Sequence, residues 1–288
     1  MSSQDTLYIP PNKVESLFSL TQGNTFASTN APTAGSQSIR SLPIGLQSFQ
    51  YYSLATPNGQ KPAILLEELN LPYDAHKISL KGEQFQSGFV ELNPNSKIPA
   101  AIDLNGPNGK TVKLFESVSI MVYLAEKTQQ FIPSDPILRS EVMNWLFWQV
   151  GGQGPITGAC FGHFFAYAPE DQHAARDYAL GRYGMEVQRL CSVLNNHLAT
   201  RTYLVGEEYT IADMACFPWF QTGLRTGYKT KSGLTACEFL SIEENYPHVV
   251  AWADRILARP AVQRGLRVCS FSSENPKPWL DEESDEQK

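Results

Sequence analysis

The sequence holds no run of about 18 uninterrupted apolar residues, the length that a membrane-spanning helix requires. Basic residues are also few. The 23 lysines and arginines are outnumbered by 29 acids and form no cluster, so the electrostatic footprint of a nucleic-acid-binding protein is missing. The five cysteines, Cys160, Cys191, Cys216, Cys237 and Cys269, contain no CxxC pair and are odd in number. That pattern argues against a disulfide framework and for a reducing compartment, with the cytoplasm the expected location. The histidines His76, His163, His173, His197 and His248 are scattered, with no HExxH or zinc spacing, so no metal is expected. The opening MSSQDTLYIPPNK lacks the basic-then-apolar layout of a secretory signal.

What remains is 288 residues, 42% hydrophobic and 18% charged, enough for two compact domains. Residues 1–46 are rich in Ser, Thr, Asn, Gln, Gly and Pro and read as an irregular arm. Residues 47–128 carry mixed signals. Phe49–Leu54 reads as a strand. Thr56-Pro57 reads as a helix N-cap followed by its first residue, with Pro62 expected to distort the early turns. Tyr73–Leu80, Ile98–Leu104 and Thr111–Phe115 read as further strands, the last two joined around Asn108-Gly109. A helix follows from Glu116. The order β-α-β, hairpin, α describes an α/β thioredoxin-like layer.

From 137 to 269 strand signals are missing, and the reading is an all-α domain. Helices are expected over Ile137 to about Tyr167, His173–Leu198, Ile211–Thr222 and His248–Leu257. Thr210-Ile-Ala-Asp213 is a capping box with a structural role. Residues 270–288 end in a run of acids and read as a disordered tail.

In a thioredoxin-like layer the end of the first strand is the privileged chemical position, because a helix N-terminus there stabilises a thiolate. Here it holds Thr56-Pro57-Asn58, with no sulfur. Any thiol must therefore arrive with a ligand. On spacing alone Thr56 reads first as a cap, Asn58 as turn chemistry beside Gly59, and Glu116-Ser117 as a plain helix start.

Four segments in order carry a resemblance: Thr56-Pro-Asn-Gly-Gln-Lys61, Asn93-Pro-Asn-Ser-Lys-Ile-Pro99, Phe115-Glu-Ser-Val-Ser-Ile120 and Tyr209-Thr-Ile-Ala-Asp213. From about Phe49 to Cys269 the chain resembles glutathione transferases. Met143-Asn-Trp-Leu-Phe-Trp-Gln-Val-Gly-Gly152 and the long arm are similar to the nu class. The resemblance implies glutathione as co-substrate, with Thr56 and Asn58 beside its sulfur. It implies a cis Ile98-Pro99 bond, with the Ile98 backbone pairing with the cysteinyl unit. Glu116 and Ser117 would hold the γ-glutamyl end, and Gln84 and Lys97 the glycine end. Gln149, Arg182 and Asn30 would help hold a second glutathione. It also implies a homodimer acting on small disulfides or electrophiles. Glutathione-dependent disulfide reduction without a protein cysteine is the expected activity. Conventional conjugation, or a non-catalytic regulator of the same fold, are the alternatives.

Overall fold

The computed structural model describes residues 11–21, 33–169 and 173–280. Phe49–Ser53 (β1) is buried at all five positions. Phe49 and Tyr51 face a large core shared with most of the helices, while Tyr52 faces a smaller core on the other side. This is the two-residue alternation of a strand buried on both faces. Tyr73–Lys77 (β2) runs parallel to β1, Ala100–Asp103 (β3) antiparallel to it, and Val112–Phe115 (β4) antiparallel to β3. The sheet order is β2-β1-β3-β4.

Pro57–Glu68 (α1) supplies the crossover between the parallel strands and keeps Pro62 inside it without breaking. Ser87–Leu92 (α2), which the sequence did not announce, covers the smaller core with Phe89 and Leu92. Ser117–Thr128 (α3) packs beside α1. Together these form the expected thioredoxin-like layer. β3 and β4 are joined through Pro107–Gly109, where Asn108 and Gly109 both take positive φ.

The rest is helical, as expected. Pro136–Trp148 (α4) continues into wide π-type turns over Gln149–Gln153 and Ile156–Tyr167. His173–Leu198 (α5) and Ile211–Pro218 (α6) follow, the latter extended by π-type turns over Trp219–Arg225. The short Ala236–Phe239 (α7) and Ile242–Asn245 (α8) lead to Pro247–Leu257 (α9) and Pro260–Arg267 (α10). Every residue of α6 is buried. Its capping box forms: Thr210 Oγ1 accepts from Ala212 N at 3.2 Å, and Asp213 accepts from Thr210 N at 3.1 Å. Asp213 also accepts from Leu204 N at 2.9 Å and Trp252 Nε1 at 2.8 Å. Burial pushes its carboxyl up to about 6 against these bonds.

The sequence reading ended before α10, a helix that joins the two halves. A β-carbon at Gly265 would lie 2.6 Å from Ile64 Cα, so only glycine allows α10 to lie this close to α1. The expectation of a disordered C-terminal tail also needs correction. Within the expected tail, residues 270–280 are packed: Trp279 is buried, Cys269 N donates to Pro276 O at 2.9 Å, and Lys277 Nζ donates to Tyr73 O at 2.7 Å. Polar composition hid one tryptophan and a set of backbone partners. The arm, in turn, docks at its end. Gln37 N donates to Phe85 O, Gly88 N to Arg40 O at 2.9 Å, and Tyr52 OH to Pro43 O at 2.6 Å.

Candidate functional site

The site begins where β1 gives way to α1. Thr56 takes extended backbone angles, and its Oγ1 accepts from Gly59 N at 3.3 Å. A hydroxyl has two lone pairs and one proton, so capping the helix leaves the Thr56 proton to donate elsewhere. The two readings of Thr56 are therefore compatible. The junction is tight. Tyr51 OH donates to Gly59 O at 2.5 Å, and a β-carbon at Gly59 would lie 2.0 Å from Leu54 O.

Asn58, one residue into the helix, accepts from Trp219 Nε1 at 3.1 Å. Indole nitrogen only donates, so the Asn58 oxygen must face Trp219, which turns the Asn58 NH2 to the other side. Thr56, Asn58, Gln84, Lys97, Ile98 and Trp219 line one cavity of about 270 Å³. Five residues expected at the glutathione site from three separate segments thus converge. The Ile98-Pro99 bond is cis, as expected. Gln84 is buried, held by its own turn through Gly82 N and Leu80 O, while Lys97 stands exposed at the mouth.

A second cavity of about 760 Å³ opens on the other side of Thr56 and Pro57. Its walls are Phe164, Tyr167, Trp219 and Tyr228, with His163 and Phe271. Gly158 and Gly162 make these walls possible. A β-carbon at Gly158 would lie 2.4 Å from the Trp219 ring and one at Gly162 2.5 Å from the Tyr228 ring. Burial holds the His163 imidazole below its ordinary value.

Glu116 precedes α3 with φ 69°, an uncommon angle for a side-chain-bearing residue. It puts the exposed carboxylate and the buried Ser117 at the helix N-terminus, where backbone N–H groups favour an anion. Lys61 lies beneath them, 1% exposed, its Nζ donating to Ser117 Oγ at 3.4 Å and to Gln149 Oε1.

None of the five cysteines lines either cavity. All five are free thiols. Burial pushes Cys191 and Cys269 up to about 12 and raises Cys216 and Cys237 as well. Thiols so shifted are poor nucleophiles at neutral pH.

The glutathione S-transferase N-terminal domain family matches residues 55–127 and the C-terminal domain family matches residues 161–260. The chain belongs to the glutathione S-transferase family. It is 46% identical over 250 residues to the disulfide-bond oxidoreductase YghU of Escherichia coli strain K12, covering 84% of this chain and 82% of that protein. The glutathione transferase YghU from Streptococcus pneumoniae, crystallised with glutathione, is 44% identical with a TM-score of 0.79, covering 91% of this chain and 98% of that one. A glutathione transferase from Burkholderia graminis, with two glutathione molecules bound per subunit, is 40% identical with a TM-score of 0.72, covering 80% and 90%.

Two residues of this transferase expected at a second glutathione line neither cavity. Gln149, at the start of the π-type turns, is fully buried, and its oxygen accepts from Lys61. Arg182 is exposed on α5, 6.0 Å from the Tyr183 ring, and lines neither cavity. Asn30 lies outside the described residues. Conversely, sequence reasoning missed Trp219, Tyr228, Phe164 and Lys61. Lys61 stood within a quoted motif, but lysines are almost never fully buried, so nothing marked it.

Proposed function

We propose that this transferase reduces small disulfides with glutathione supplying both thiols. The observation that carries the reading is the strand–helix junction: Thr56 and Asn58 stand in the sulfur position and no cysteine reaches either cavity. The name of the Escherichia coli relative and the two glutathiones of the Burkholderia graminis transferase support it. A first glutathione thiolate attacks one sulfur of the disulfide, forming a mixed disulfide and expelling a thiolate. A second glutathione thiolate attacks the mixed disulfide, giving oxidised glutathione and the second product thiolate. The two protons lost by glutathione are taken up by the two products. Thr56 and the α1 N-terminus stabilise the attacking sulfur. Ile98, Gln84, Lys97, Glu116 and Ser117 hold the first tripeptide, and the large cavity takes the disulfide together with the second. The unpaired thiols and the demand for reduced glutathione fit a cytoplasmic enzyme.

The aromatic walls of the large cavity favour one second reading, conjugation of glutathione to an apolar electrophile. Assays separate the two. Glutathione-dependent turnover of hydroxyethyl disulfide is expected to exceed that of an aryl halide, and calorimetry is expected to count two glutathiones per chain. One glutathione per chain, with the aryl halide turned over faster, would establish conjugation instead.

The proposal includes a homodimer. Ile137 and Phe147 on α4 and Tyr178 and Met185 on α5 are 70–81% exposed and offer apolar side chains to a second copy. Among the described residues no helix is long and apolar enough to cross a membrane.

A further inference from the structure

The Lys61 ammonium is enclosed by α1, the N-terminus of α3 and the turn at Gln149, and it lines neither cavity. Both of its hydrogen-bond partners are neutral. A buried cation without an anion is expensive, and here desolvation lowers the amine to about 7, while Cys216 and Glu116 act the other way. The titratable groups facing it are the Glu116 carboxylate from the start of α3 and the Cys216 thiol from α6, which burial keeps protonated near neutral pH. Those of the α10 side are engaged elsewhere: Arg259 by Glu68 and Arg264 by Glu67.

The direction of the hydrogen bonds carries the inference. An ammonium only donates, so Ser117 Oγ must accept from Lys61. The Ser117 proton is then left to donate, at a helix N-terminus already suited to an anion. We propose that Lys61 is a positioning residue, the internal counter-cation for the γ-glutamyl α-carboxylate of glutathione, acting through the hydroxyl of Ser117. The proposal rests on the glutathione reading of the site. Gln149, fixing the same ammonium from the helical domain, then ties that domain to recognition of the first tripeptide. A carboxylate bound at Ser117 favours the charged amine and raises its proton affinity. At pH values just above 7, binding therefore captures a proton, and affinity falls as pH rises through that range.

The test uses S-methylglutathione, which has no thiol to titrate, and its analogue lacking the γ-glutamyl α-carboxylate. The intact enzyme should prefer S-methylglutathione by calorimetry. Lys61→Met and Lys61→Gln should each reduce that preference by about tenfold or more, since a charge-assisted bond is lost, and leave affinity for the analogue nearly unchanged. Both ligands weakening equally, or an unchanged preference, would overturn the proposal. A wild-type measurement covers variants that do not fold. At pH 7.5, in buffers of different ionisation heat, S-methylglutathione should bind with proton uptake and the analogue without it. Equal proton uptake for the two, or none for either, contradicts the role of Lys61. Failure of the intact enzyme to bind S-methylglutathione at all would instead remove the glutathione reading on which the proposal stands.

Discussion

Thr56→Ala should lower kcat for disulfide reduction by roughly 10- to 100-fold while changing glutathione affinity far less, because one donor to the developing thiolate is typically worth about 1–3 kcal/mol. The hydroxyl sits at the N-terminus of α1, and its capping bond to Gly59 N uses a lone pair rather than its proton. The proton is therefore available when the sulfur becomes charged, and its worth is realised mainly in the reacting state. Removing the side chain also removes the cap, at about 1 kcal/mol of stability. The two effects are read separately, kcat by steady-state kinetics and stability by melting temperature. A lower melting temperature with unchanged kcat would leave Thr56 as a cap alone.

Gly59→Ala should be still more damaging to the fold. The new methyl would meet Leu54 O at 2.0 Å and Ser53 Oγ at 2.4 Å, and the first of these is backbone that cannot turn away. Relief requires β1 and α1 to separate, although Tyr51 OH holds Gly59 O from the other side. Overpacking of this kind costs about 1–3 kcal/mol or more. Thr56 and Asn58 lie within the three residues before Gly59, so turnover should fall with stability. Urea denaturation gives the midpoint, and assay at low temperature gives the activity of the folded fraction. An unchanged midpoint and unchanged turnover would show that the junction is looser than its geometry.

Local chemistry explains which parts of this molecule were legible in its sequence. Thr56-Pro57, the capping box at Thr210 and the short aromatic strand at Phe49 act within a few residues, so they read correctly. α2 has six residues, too few for helical periodicity to register. α10 and the packed stretch through Trp279 depend on surfaces that α1 and β2 supply from some 200 positions away. The same is true in the site. Thr56, Asn58, Lys97 and Ile98 were marked by motifs and Gln84 by the family resemblance alone, and all five converge on one cavity. Trp219 and Lys61 acquire their roles only through burial against other segments. Gln149 and Arg182 were marked by the family resemblance, and in the fold Gln149 is buried at the start of the π-type turns while Arg182 is exposed on α5.

The central claim is that every thiol in the reaction belongs to glutathione, and a cysteine-free enzyme tests it most directly. Cys191, Cys216 and Cys269 are buried and behave as small apolar groups, so alanine suits them, whereas serine suits Cys160 and Cys237. Circular dichroism and melting temperature establish that the five-fold variant is folded. Its glutathione-dependent reduction of hydroxyethyl disulfide is then measured beside the parent. The expected result is turnover within about threefold of the parent, the spread left by independent packing changes. A folded cysteine-free protein that binds glutathione and reduces no disulfide would contradict the account, because one of the five thiols would then be part of the chemistry.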